Sequence, residues 1–130
     1  MNEPGRRLTL AFVLASALAA CAAPQPDVVR VPGSAVYPPT QFVELLDQPP
    51  SRAYVEIGTI DAPGEPGALR SQVLAQIRTK AQQLGADAVI LTDVSRNAPA
   101  TQRLNPTTGT YETLGGQPIP AFKGIAIKYR

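Results

Sequence analysis

The chain has 130 residues, enough for one domain with a modest core, and its 14 prolines and absent tryptophan point to a thin core with extended segments. A formal charge of +2, with no basic cluster interleaved with aromatics, argues against a nucleic-acid module. The absence of histidine removes the usual general base near neutral pH and the commonest metal ligand, and a single cysteine excludes an intramolecular disulfide or a thiolate zinc cage.

At the start, Arg6 and Arg7 precede an apolar run from Leu8 to Ala17, followed by small residues up to Cys21. A positive region, a short apolar region and a small-residue region together form a secretory signal. The run is too short for a stable membrane span, which needs about 20 apolar residues. Leu18-Ala19-Ala20-Cys21 matches the bacterial lipobox. The match implies that Leu18, Ala19 and Ala20 are the peptidase-recognition residues and that the Cys21 thiol receives a diacylglyceryl group before cleavage; the alternative is a non-lipidated signal with a chance cysteine, or a transmembrane anchor. The expectation is a signal peptide over 1–20 and a lipoprotein that incorporates palmitate at Cys21. Each buried acyl methylene adds about 0.8 kcal/mol of anchoring. In enterobacterial sorting, aspartate after the lipidated cysteine favours the inner membrane. Ala22 and Ala23 stand here, so the expected location is the inner leaflet of the outer membrane, facing the periplasm.

Residues 22–39 contain five prolines and no helical periodicity. They read as a semi-rigid extended spacer, with 21–40 as the lipid-anchored linker, reaching roughly 55 Å from the bilayer at about 3.1 Å per residue. The alternative makes Val28, Val29 and Val31 an edge strand, although Pro32 and Gly33 cut that run short.

The folded domain is expected over 41–130. Gln41 to Leu46 and Tyr54 to Ile60 are β-like runs separated by Pro49-Pro50-Ser51. Pro66 stands near a helix start, and Glu65 would face the positive end of its dipole. Leu69, Val73, Ile77, Ala81 and Leu84 form an apolar stripe, and Gly85 is the expected left-handed C-terminal residue. The spacing predicts a helix over about 67–84, with Lys80 in its last two turns. Residues 86–94, apolar on both faces from Ala88 to Leu91, predict a central strand. A polar loop follows from Arg96 to Gly109, with brief pairing at Tyr111 to Leu114. Alternation of Ile125, Ile127 and Tyr129 predicts a final strand. The fold class is therefore α+β: a two-layer, four-stranded sheet with one covering helix, in the order β-β-α-β-β.

The helix ending Lys80-Ala81-x-x-Leu84-Gly85-Ala86-Asp87-Ala88-Val89, preceded by Tyr54-x-x-Ile57-Gly58-x-Ile60 and followed by Gly124 and Ala126, resembles two related groups. One is the YbjQ-like, heavy-metal-binding-like domain family. The other is the RcsF-type stress-sensing outer-membrane lipoproteins. The similarity spans about 41–130, with its specific core at 77–94. Fold-level likeness does not by itself carry a function over to this chain. YbjQ-like domains assemble into rings, so a homo-oligomer is compatible with the resemblance, the terminal strand being taken to offer a free edge. The RcsF-type domain is stapled by disulfides, and this chain has no cysteine beyond Cys21.

Gly58, Gly85, Ala86, Asp87 and Gly124 read first as architecture: glycine for turns and close approach, alanine for close packing, Asp87 as a cap on nearby amides. A ligand role for Asp87 is the alternative. The other carboxylates (Glu44, Asp47, Glu56, Asp61, Asp93) show no metal-ligand spacing, so no metal and no cofactor is expected. No catalytic constellation is visible, and Tyr111 and Lys123 are ordinary surface residues before they are acid–base candidates. The expectation is a non-enzymatic lipid-anchored protein whose periplasmic domain binds a protein partner as sensor, adaptor or assembly accessory. The alternative is a small-ligand or metal-ion module using Thr101, Arg103, Asn105, Thr107, Thr108 and Tyr111.

Overall fold

The structure, a computed structural model, describes residues 24–130. The signal segment with Leu18, Ala19 and Ala20, and Cys21 itself, lie outside the described residues. In chain order the elements are β1 (Asp27–Arg30), β2 (Glu44–Leu46), β3 (Tyr54–Ala62), α1 (Arg70–Leu84), β4 (Ala88–Asp93), β5 (Arg96–Asn97), β6 (Thr101–Leu104), β7 (Tyr111–Leu114), β8 (Pro118–Ile119) and β9 (Phe122–Tyr129). Among the described residues the architecture is α+β, with a single helix on a mixed sheet.

The main sheet has five strands, in the order β1-β3-β9-β4-β2. This corrects the expected four. Residues 27–30, read as part of the spacer, pair antiparallel with β3 from Asp27–Asp61 to Arg30–Gly58, and the Val31 amide continues the ladder to the Ile57 carbonyl. Val28 packs against the core from that edge. The second edge is β2, parallel to β4. The terminal strand β9 is the middle of the sheet, paired antiparallel to β3 on one side and β4 on the other, so it offers no free edge. Phe122 and Ala126 face the helix-side core, and Ile125 and Ile127 face the other side of the sheet.

Helix α1 begins at Arg70, three residues later than the stripe predicts. Gly67 takes the left-handed conformation (φ 78°) and donates its amide to the Pro118 carbonyl, so the chain turns there. Leu69 consequently becomes the N-cap and stays exposed, and Glu65 is outside the helix. Val73, Ile77, Ala81 and Leu84 are buried as the periodicity requires. They meet Ile57, Ile60, Ala62, Val89, Phe122 and Ala126 in one core cluster. Burying each large aliphatic side chain there contributes about 1.5–3 kcal/mol. A bulge in β3 between Glu56 and Gly58 lets both Ile57 and Gly58 be buried.

The polar stretch from Arg96 is not a loop. Beyond the sheet, β4 and β9 keep the same register. Asp93 faces Phe122, Arg96 faces Ile119, Thr101 faces Leu114 and Leu104 faces Tyr111. The Val94 amide to the Ala121 carbonyl and the Ala98 amide to the Gln117 carbonyl fill the intervals. Residues 88–127 are thus one long β-ribbon, and its outer half is an arm leaving the end of the sheet. The arm's base is braced by the 63–67 turn: Gly67 bonds Pro118, and a side chain at Gly64 would collide with the Pro120 carbonyl. Its tip is closed by Asn105, whose side chain accepts the Thr107 amide and donates to Glu112.

Candidate functional site: the uncovered sheet face

The helix covers one face of the sheet. On the other, registers align residues in rows across the strands. Val29, Thr59, Ile125, Ile90 and Leu46 form one row that crosses all five strands, a width of about 19 Å at ~4.8 Å between strands. Next to it Ala88 and Ile127 are fully buried, although no helix lies over them. They are covered by their own neighbours, Leu46, Tyr54, Ile125 and Tyr129, which remain half-exposed. The result is an apolar belt, four of whose five row residues are aliphatic.

Charged ends frame the belt. Toward the arm, Asp61 and Lys123 are cross-strand partners beside a recess of about 380 Å³ lined by Thr59, Asp61, Thr92 and Ile125. At the opposite end a second recess, of about 440 Å³, is lined by Phe42, Glu44, Arg52, Asp87 and Tyr129. The Arg52 guanidinium lies 4.5 Å from the centre of the Tyr129 ring, a cation–π contact that fixes the ring at the belt's edge.

Asp87 belongs to that second end. Its carboxylate accepts a hydrogen bond from the Lys128 ammonium at 2.8 Å and another from the Tyr129 amide at 3.0 Å. Burial works against its charge, but the Lys128 bond, the Tyr129 amide and the charges of Lys128 and Arg52 outweigh it and hold the carboxyl below its ordinary value. Lys128 also lies 5.5 Å from the centre of the Tyr37 ring. This is a closed electrostatic clamp between the start of β4 and the end of β9.

Gly85 and Ala86 sit immediately before it. Gly85 has φ 80°, its amide bonds the Gln82 carbonyl, and the Ala86 amide bonds the Ala81 carbonyl, which ends the helix in a Schellman arrangement. Thr40 donates from its hydroxyl to the Ala86 carbonyl at 2.6 Å and from its amide to the Gln82 carbonyl. Gly58 packs beneath Leu84 against the Val29 carbonyl, and Gly124 lies under Val89, where a Cβ would stand 2.6 Å from its Cγ1. The junction residues therefore come together and the two strand glycines sit apart, all in packing positions.

The residues of the ligand-module alternative, Thr101, Arg103, Asn105, Thr107, Thr108 and Tyr111, all fall on the exposed arm, and Lys123 lies back in the sheet. Among the described residues no three of His, Cys, Asp or Glu converge as a metal site, and no helix is long and apolar enough to cross a membrane. The belt itself was missed from sequence. Ile125 and Ile127 announce an apolar face, but which strands flank them is decided by long-range pairing.

No family model, curated protein or solved structure matches the chain.

Proposed function

We propose that this is a lipid-anchored envelope protein, held by acyl chains on Cys21 in the inner leaflet of the outer membrane, whose domain binds a protein partner through the uncovered sheet face. The observation that carries this reading is the apolar row Val29, Ile125, Ile90 and Leu46 across a sheet with one covered face. Val29 is exposed, Leu46 and Ile125 are partly so and Ile90 between them is 9% exposed; partly exposed apolar surface rimmed by charge is characteristic of protein interaction sites. The lipobox supports the location, and kinship with RcsF-type and YbjQ-like domains is part of the same proposal, resting on the β3, α1 and β4 residues that carry the resemblance. The chemistry asked of the domain is recognition, not catalysis.

A photo-crosslinking residue in place of Thr59, in the full lipoprotein in its native envelope, is expected to give a discrete adduct with one partner. The same group in place of Gln72, exposed on the outer side of α1, should give none. Val29→Lys, at an exposed position of the row, should abolish the Thr59 adduct while leaving the thermal midpoint near the parent's. Adducts of equal yield from both positions, or none from either, would refute the reading. The recess beside Asp61 and Lys123 favours a second reading, a small-ligand or metal-ion module. A rise in melting temperature with a metal or envelope metabolite would establish that reading instead.

A further inference from the structure

We propose that the distal half of the arm, β6 and β7, rests on the lipid surface to which Cys21 tethers the protein; this builds on the reading of Cys21 as the lipidated residue. The geometry is one of lengths. Pro26 is buried against the fold, and it stands only five residues after Cys21. Five residues span at most roughly 18 Å. The arm extends eleven residues from Asp93 to Leu104, about 36 Å along a fully extended ribbon. Both depart from the same end of the sheet, because Asp27 pairs with Asp61, which in turn faces Lys123 next to the ribbon's exit.

The domain therefore cannot stand off from the bilayer by the length of its own arm. Nor can it invert. Turning the opposite end of the sheet toward the lipid would require the tether to run back along β3, whose nine residues span about 30 Å. That exceeds the tether's reach. The arm is left inclined onto the headgroup region.

Its side chains suit that place. Leu104 and Tyr111 are a directly opposed pair on one face beside the turn, 50% and 72% exposed, while Leu114, 49% exposed, lies with Arg103 on the other face. A tyrosine ring with a polar hydroxyl partitions to the membrane–water interface, with leucine just below it. Arg103 offers an apolar stem and a guanidinium that suits phosphate oxygens. The arm's acid, Glu112, is held by the Asn105 side chain. Arg103 and Glu112 are the only charges in 101–114, so apolar contact and tether-imposed proximity, rather than net charge, hold this distal part down. A lone two-stranded ribbon is marginal in water, and contact with a surface supplies its missing support.

The chain has no tryptophan, so a single one is a clean probe. The full lipoprotein is made as Tyr111→Trp and, separately, as Phe42→Trp at the far end of the sheet. Each is reconstituted in vesicles of phosphatidylethanolamine and phosphatidylglycerol, with or without acyl-brominated lipid. The Tyr111→Trp emission is expected to shift to shorter wavelength and to lose most of its intensity to the brominated lipid, while Phe42→Trp changes little. Circular dichroism confirms that both are folded, and mass spectrometry confirms the lipid on Cys21. If the lipid is present and Tyr111→Trp is quenched no more than Phe42→Trp, the arm does not lie on lipid and the anchor reading still stands. If Cys21 carries no lipid, the anchor and the arm proposal fall together. If the arm is unquenched in vesicles but cross-links to a membrane protein in native envelopes, its occupant is that protein and the lipid proposal is overturned.

Discussion

Arg70, the first residue of α1, is ion-paired with Asp93, the last residue of β4, and so ties the helix start to the root of the arm. Arg70 also stacks on the Phe122 ring, 4.5 Å from its centre. A cation at a helix N-terminus opposes the helix dipole, and the Asp93 carboxylate offsets it. The Ser95 side chain, the Arg70 guanidinium and the Ser95 amide together lower the Asp93 pKa from 3.8 to about 2. A depressed carboxyl binds its proton less readily folded than unfolded, so its contribution is present above pH 3.8 and is lost as pH falls toward about 2. The pair is exposed, so the effect is small. Asp93→Asn should flatten the decline of the thermal midpoint across that window and accelerate amide exchange at 94–98. An unchanged acid limb would show that the pair does not act in solution.

Asp87 should behave as a structural clamp. Asp87→Ala leaves the Lys128 ammonium and the Tyr129 amide without their carboxylate, at an expected cost of about 1–3 kcal/mol in urea unfolding. Asp87→Asn keeps an acceptor for the Tyr129 amide and should cost less. If both variants unfold with the parent, the clamp contributes nothing to stability.

Gly85→Ala combines a left-handed φ of 80° with a Cβ 2.6 Å from the Pro38 carbonyl oxygen and 2.7 Å from the Tyr37 Cβ. Strain of that kind costs on the order of 1–3 kcal/mol, before any shift of the 37–40 segment. Gly115→Ala, whose Cβ would meet nothing within 4 Å, is the control and should lie close to the parent. Chemical denaturation of the two side by side reads the difference.

Removal of residues 24–31 strips β1 from the sheet and exposes the edge of β3. The loss of Val28 packing and of cover over Leu84 should lower stability on the order of 2–4 kcal/mol. The bare edge should also promote association at high concentration. A 41–130 fragment that matches 24–130 in midpoint and stays monomeric by light scattering would show β1 to be dispensable, as the linker reading supposed.

What the sequence made legible was whatever is local and apolar. The α1 stripe, its stop at Gly85 and the run Ala88 to Leu91 are written within a few turns of chain, because each buries several neighbours at a fixed period. β1 is different. Of its four residues only Val28 is partly buried, so what makes Asp27–Arg30 a strand is a backbone ladder to β3, which leaves no mark on composition. The arm was hidden for the same reason: all eight residues of β6 and β7 are exposed and largely polar, and their pairing continues a register set by β4 and β9. Of the site, Asp87 was legible as a cap. Its partner Lys128, 41 positions away, was not.

The place of β9 has a bearing on how the molecule is made. Of the five strands in the sheet it is synthesised last, yet it is the one that joins β1 and β3 to β4 and β2. Until residues 122–129 have emerged, the earlier strands form two unconnected pairs, and the helix has no continuous floor to pack on. A nascent chain of this design remains open up to the moment its closing strand arrives.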